Sequence, residues 1–97
     1  RVPEARGRPF CDSAPLMERA LAVRAGLGWQ GKNGNLLTRE LGSWVFLGEL
    51  LLSLPLRPDP PFATDHCGRC DRCVRACPTD AIVVPAVVDA RRCIAYW

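Results

Sequence analysis

The stretch Cys67-Gly68-Arg69-Cys70-Asp71-Arg72-Cys73-Val74-Arg75-Ala76-Cys77-Pro78 decides how this chain is read. Its spacing, C-x2-C-x2-C-x3-C-P, is that of thiolates gathered around a [4Fe–4S] cluster. Three cysteines on one tight loop each reach a different iron, and the fourth, one helical turn further on, is directed at a second cluster. Gly68 lets the loop wrap closely, and Pro78 ends the local helix. Structural zinc sites use two C-x2-C knuckles set about a dozen or more residues apart, which this run does not match. The motif therefore implies electron transfer, and it implies cluster ligands beyond its own four.

Around the motif, Phe62–Trp97 forms one unit. Cys73–Ala76 suits a short helix. Ile82-Val83-Val84 and Val87-Val88 suit a hairpin about Pro85-Ala86. Asp89 can cap a final helix carrying Cys93. This layout is the first half of a bacterial ferredoxin-like 2[4Fe–4S] domain. Cys93 reads as a further ligand rather than a buried structural thiol, because the motif alone leaves two clusters short of ligands. His66 is either a ligand or a surface group beside the cluster. Cys11, far from the others, reads as a small core residue.

Upstream, Pro55–Pro61 carries four prolines and has the composition of a surface connection between domains. Residues 1–10 are basic, contain Pro3 and Pro9, and read as a looped entry. Asp12-Ser13-Ala14-Pro15 looks like a helix start, with Leu16, Ala20, Leu21 and Val23 on the apolar face and Gly26 as the stop. Residues 26–34 hold four glycines, so the backbone there approaches something closely. Lys32 and Asn33 are either a polar loop tip or contacts to a bound group. Leu36-Leu37-Thr38 reads as a strand, Arg39–Gly42 as a turn and Ser43–Leu52 as the partner strand. The second half of that last run, Gly48–Leu52, is open to a helical reading.

The chain has 97 residues, room for one small domain or parts of two. Its 48% hydrophobic content argues against disorder. A net charge of +3 permits an acidic partner without arguing for one. Six cysteines would suggest disulfides in a secreted domain, but their spacing decides for a cluster. The longest apolar run, Trp44–Leu52, is too short to span a bilayer. The start at Arg1 and the end at Trp97 give the expectation of an internal fragment.

Three blocks add a more specific signal. Phe10-Cys11-Asp12-Ser13-Ala14-Pro15 is followed by Arg24-Ala25-Gly26-Leu27-Gly28-Trp29-Gln30-Gly31-Lys32-Asn33, and then by Gly42-Ser43-Trp44-Val45-Phe46-Leu47-Gly48-Glu49. Joined to the cysteine unit in this order, they resemble the epoxyqueuosine reductases over nearly the whole chain. One departure is Thr79-Asp80, where members commonly carry Thr-Gly after the Cys-Pro.

The resemblance implies an α+β chain in which residues 1–58 are part of a cobalamin-binding α/β domain and residues 59–97 an incomplete 4Fe–4S ferredoxin-type domain. It implies a cytoplasmic, monomeric oxidoreductase, with no membrane partner, that reduces epoxyqueuosine to queuosine at the wobble position of tRNA. Cobalamin would be fed by two [4Fe–4S] clusters and an external low-potential electron donor. It implies Cys67, Cys70 and Cys73 on one cluster and Cys77 and Cys93 on the other. Leu36 and Leu47 would contact the corrin through their backbones, and Asp12 would be the proton donor. Read from its own neighbourhood alone, Asp12 is a plain helix N-cap, and only the resemblance makes it the proton donor. A bare electron-transfer module, or another corrinoid iron–sulfur reductase such as a reductive dehalogenase, are the competing readings. The isolated fragment is expected to be inactive.

Overall fold

The computed structural model describes residues 4–96. Its elements are three two-stranded antiparallel ribbons, two short α-helices and two terminal 3-10 turns. Strand β1 (Gly7–Phe10) pairs with β4 (Glu49–Leu52), with Gly7 opposite Leu52 and Phe10 opposite Glu49. Helix α1 spans Glu18–Arg24. Strands β2 (Trp29–Gln30) and β3 (Leu36–Leu37) form the second ribbon. Helix α2 (Arg72–Ala76) carries the cysteine motif. Strands β5 (Ile82–Val84) and β6 (Val87–Val88) form the third ribbon.

Several expectations change on contact with this fold. The segment 7–10 is a strand rather than a looped entry, and Pro9 is tolerated because a two-stranded ribbon leaves one side of β1 without ladder bonds. The part of that reading that falls on residues 1–3 lies outside the described residues. Leu36–Leu37 does not pair with 43–52. It turns back on Trp29–Gln30, because Gly31 N–H donates to Asn35 O (2.8 Å) and Gly34 N–H to Gly31 O (2.9 Å), closing the glycine loop into a tight hairpin. Arg39–Leu41 is a turn closed by the Thr38–Gly42 bridge, so β4 is free to reach β1. The helical option for the end of that run is excluded by the β1–β4 register.

Helix α1 starts at Glu18, not at Ser13–Pro15, and its N-terminus has no side-chain cap. Asp12 has a left-handed φ of 51°, outside the helix, and its N–H donates to Glu18 Oε1 at 2.9 Å. Residues 11–17 are thus a loop held against the first turn of α1. The stop is as the sequence implies. Gly26 has φ 79°, its N–H donates to Val23 O (3.1 Å), and Leu27 N–H donates to Ala22 O (3.0 Å). That pair of bonds is a Schellman motif, satisfying carbonyls the helix leaves open.

The interior is small. Among the described residues the buried apolar side chains are Ala22, Leu36 and Ala81. The accessible surface of 8233 Å² far exceeds the roughly 5,500 Å² of a compact monomer of this mass. The radius of gyration, 16.0 Å, exceeds the roughly 12.5 Å of a compact domain of this length. Trp44 and Phe46 are more than 90% exposed. Ala22 and Leu36 lie where α1 meets the hairpin, and within the hairpin the backbones approach closely: a Cβ on Gly28 would overlap Leu37 O.

Glu49 opens β4 with one carboxylate oxygen, Oε2, buried without a hydrogen-bond partner. Desolvation, then the nearby Glu18 and, more weakly, Asp12, raise its pKa above the ordinary 4.5. An acid with a raised folded pKa keeps its proton longer in the folded protein than in the unfolded chain. Folding therefore takes up a proton between 4.5 and the higher folded value, and stability falls as pH rises through that window.

Two outcomes follow from these contacts. Gly28→Ala should destabilise the protein by roughly 3 kcal/mol, the upper end of overpacking costs, as read by chemical denaturation; an effect within a few tenths of a kcal/mol would refute the close approach. Glu49→Gln should be more stable than the native protein at neutral pH, with the gap closing below the unfolded carboxyl value. Denaturation midpoints at both pH values check this, and an equal gap at both would contradict the buried carboxylate.

Candidate functional site

The cysteine loop is built by local bonds. Cys67 N–H donates to Asp65 Oδ1 (2.8 Å), and Cys70 N–H donates to Cys67 O (2.8 Å) across Gly68, whose φ is 46°. Helix α2 then presents Cys73, and Cys77 follows at its C-terminal end. Cys77 Sγ accepts from Ala81 N–H at 3.3 Å and lies 3.7 Å from Thr79 Oγ1. Hydrogen bonds from the Thr79 and Ala81 backbone lower the Cys77 pKa, favouring the thiolate that binds metal. Asp80 has a left-handed φ of 48°, a conformation that glycine adopts without strain and that Asp tolerates better than most residues.

Downstream, Ala86 (φ 67°) turns β5 into β6 after Pro85, in the pattern of a type II turn. Asp89 caps the 3-10 turn Ala90–Arg92 by accepting from Arg91 N–H, and Cys93 follows that turn half-buried. The cap is as expected; the turn is 3-10 rather than α. Among the described residues, no three His, Cys, Asp or Glu side chains converge as ligands of one metal ion would. The fit to a cluster rests on the donor set: five thiols, none in a disulfide, with N–H groups aimed at two of the sulfurs.

His66 is occupied elsewhere. Its ring packs edge-on against Trp29 (4.9 Å) and Phe62 (5.7 Å). Its Nε2 lies 3.3 Å from the Arg39 guanidinium, a group that can only donate, so Nε2 accepts. Trp29, stacked on Phe62, ties the glycine hairpin to the entry of the cysteine loop. This aromatic trio carried no sequence signal beyond its residue types, since Trp29 lies more than thirty positions from Phe62 and His66. Cys11, read as a core residue, is exposed on the 11–17 loop.

An open cavity of about 760 Å³ lies on the other side of the hairpin. Its wall combines Asp12, Glu18, Gly34, Asn35, Leu47 and Val88, from segments distant in sequence. Asp12 and Leu47 are therefore brought together. Leu36 is not in this wall; it is buried beneath the hairpin, at 4% exposure, beside Asn35, which is. Residues 55–61 are exposed and outside the described strands and helices. No helix among the described residues is long and apolar enough to cross a membrane.

A family model described as a 4Fe–4S double cluster binding domain matches residues 66–97. The chain is 54% identical over 96 residues, 99% of its length, to an epoxyqueuosine reductase of Synechocystis sp.. Its fold matches an epoxyqueuosine reductase solved with an epoxyqueuosine-modified tRNA-Tyr stem loop at a TM-score of 0.89, with 42% identity over 95% of this chain. It also matches the Bacillus subtilis epoxyqueuosine reductase, captured with its catalytic aspartate loop swung out of the active site, at 0.88 and 40% over 97% of this chain. The chain spans 33% of the Synechocystis protein and 24% of each of these two solved chains. With sequence and fold agreeing across both the cysteine unit and the cavity-bearing half, the chain belongs, as a segment, to the epoxyqueuosine reductase family.

Proposed function

We propose that the protein containing this segment reduces epoxyqueuosine to queuosine at the wobble position of tRNA. The observation that carries the reading is the 54% identity to an epoxyqueuosine reductase across 99% of the chain, cavity and cysteine motif alike. Residues 1–58 are read as part of a cobalamin-binding domain and residues 59–97 as an incomplete ferredoxin-type domain. The proposed setting is the cytoplasm, with an external low-potential electron donor. A stand-alone electron-transfer module would have no use for the cavity or for Asp12 on its wall.

Cys67, Cys70 and Cys73 would hold one [4Fe–4S] cluster, and Cys77 and Cys93 would contribute to the other. A flat macrocycle is the proposed occupant of the cavity, and its lining supports this reading. Gly34 offers backbone without a side chain at φ 80°, Asn35 offers an amide edge, and Val45, Phe46 and Leu47 offer an apolar wall. Leu47, and Leu36 beneath the hairpin, are the proposed corrin neighbours. When bound, the clusters would deliver low-potential electrons singly to the cobalamin, which would supply the reducing nucleophile for the epoxide.

Asp12 is the proposed proton donor. Opening the epoxide leaves an alkoxide-like oxygen that a general acid must protonate. Asp12 lies on the cavity wall, and the helix N-cap reading is removed because α1 begins six positions later. Its loop is held by the Glu18 carboxylate and has no ladder bonds, so it can present the acid without disturbing the strands. The swung-out aspartate loop of the Bacillus subtilis protein supports a catalytic carboxylate on a movable segment.

Asp12→Asn should lower queuosine formation in tRNA by roughly 10²–10⁴-fold, the range for losing a general acid, while clusters and cobalamin stay bound. Asparagine tolerates the left-handed φ, so the backbone survives the change. Near-native turnover would sink the assignment. In the complete protein, Cys70→Ala should remove one cluster and Cys77→Ala perturb the other; depletion of the same cluster by both, seen by electron paramagnetic resonance, would refute the proposed split.

A further inference from the structure

The glycine hairpin has two working faces. One lines the cavity through Gly34 and Asn35. The other touches the cysteine loop at three points. Trp29 Nε1–H donates to Cys67 Sγ at 3.4 Å. Lys32 Nζ donates to the carbonyl oxygens of Gly68 (2.7 Å) and Cys70 (2.8 Å). These contacts bridge 36 to 38 positions in sequence and come from residues three apart on one hairpin.

Both groups are held in place. The indole is stacked on Phe62 at 5.8 Å and 30° and packed edge-on to His66, so its N–H direction is set by neighbours other than Cys67. The Lys32 backbone is anchored from the opposite side, where Ala86 N–H donates to Lys32 O at 2.9 Å. An indole N–H can only donate, and an ammonium carries a full positive charge with no acceptor. Loop shape alone needs neither feature at these positions, since the Cys67–Cys70 turn already closes through its own backbone bond.

We propose that Trp29 and Lys32 tune and position the cluster of Cys67, Cys70 and Cys73, raising its reduction potential relative to a site lacking them; this rests on the cluster assignment in the proposed function. The reduced cluster carries one more negative charge than the oxidised one. A donor N–H on a ligand sulfur and a cation over the ligand loop stabilise that extra charge more than the oxidised state, and hydrogen bonds to sulfur are a recognised determinant of cluster potential. Trp29 and Lys32 are therefore positioning residues that act through the ligands. They also make the wall of the cavity and the support of the cluster one hairpin.

The test uses the full-length protein, reconstituted anaerobically with iron and sulfide. Native protein, Trp29→Phe, Lys32→Met and Lys32→Arg are compared by iron content and by dithionite titration followed by electron paramagnetic resonance. Trp29→Phe keeps the aromatic packing and removes the N–H; Lys32→Met keeps the stem and removes the charge. At the native midpoint, each should lower the reduced-to-oxidised ratio of one cluster by about three- to tenfold, with the other cluster unmoved; tenfold corresponds to about 59 mV for one electron. Lys32→Arg should restore the native ratio. Unshifted midpoints at full iron content overturn the proposal, as does loss of iron with an unshifted midpoint in the fraction retained, the mark of a purely structural role. Should Trp29→Phe lose that cluster outright, the Lys32 pair decides by the same criteria. A native protein that takes up no cluster overturns the proposed function, and this inference with it.

Discussion

Lys32 places its ammonium on the carbonyl oxygens of Gly68 and Cys70, and the arrangement of the chain depends on the hairpin that makes this reach possible. The hairpin closes tightly on itself because Gly28, at its base, has no side chain: a Cβ there would overlap the Leu37 carbonyl. With backbone against backbone, Leu36 is pressed into the small interior and Trp29 is turned toward Cys67. The cysteine loop, bonded internally, is thereby seated against a second element rather than left on a tether. The exposed 55–61 segment connects the two parts, while the Trp29–Phe62–His66 rings fasten the far end of that connection.

The other face of the hairpin meets chemistry of a different kind. Asp12 and Glu18 share the cavity wall, and Glu49 is close enough that both raise its pKa. Desolvation acts with these neighbouring carboxylates in the same direction, so Glu49 holds its proton to higher pH than a free carboxyl. The carboxylates of Asp12 and Glu18 thus lie on the cavity side of the hairpin, and the Cys67 thiol lies against its other residues. A reaction combining electrons with a proton needs both within reach of one site.

Little of the apolar surface is covered within this segment. Leu50, Leu51, Trp44 and Phe46 are exposed, and the only buried apolar side chains among the described residues are small or single. A ribbon of two strands buries little by itself. The segment spans about a quarter to a third of the chains it resembles.

The cysteine unit was legible from residue order because its contacts are local. Ligand spacing, the Pro85-Ala86 turn and the Asp89 cap each depend on neighbours within a few positions, as does the helix stop at Gly26. Pairing was not legible in the same way. The strand residues of Leu36–Leu37 pointed to Ser43–Leu52 as partner, but the glycine loop turns them back onto Trp29–Gln30. Asp12 has the residue type of a cap, yet Glu18 binds its N–H and leaves it at a left-handed φ on the cavity wall. Only the tertiary structure put Trp29 and Lys32 on the cysteine loop. Contacts spanning more than thirty-five positions leave no periodic trace in a sequence, because their geometry is set by how separate elements pack.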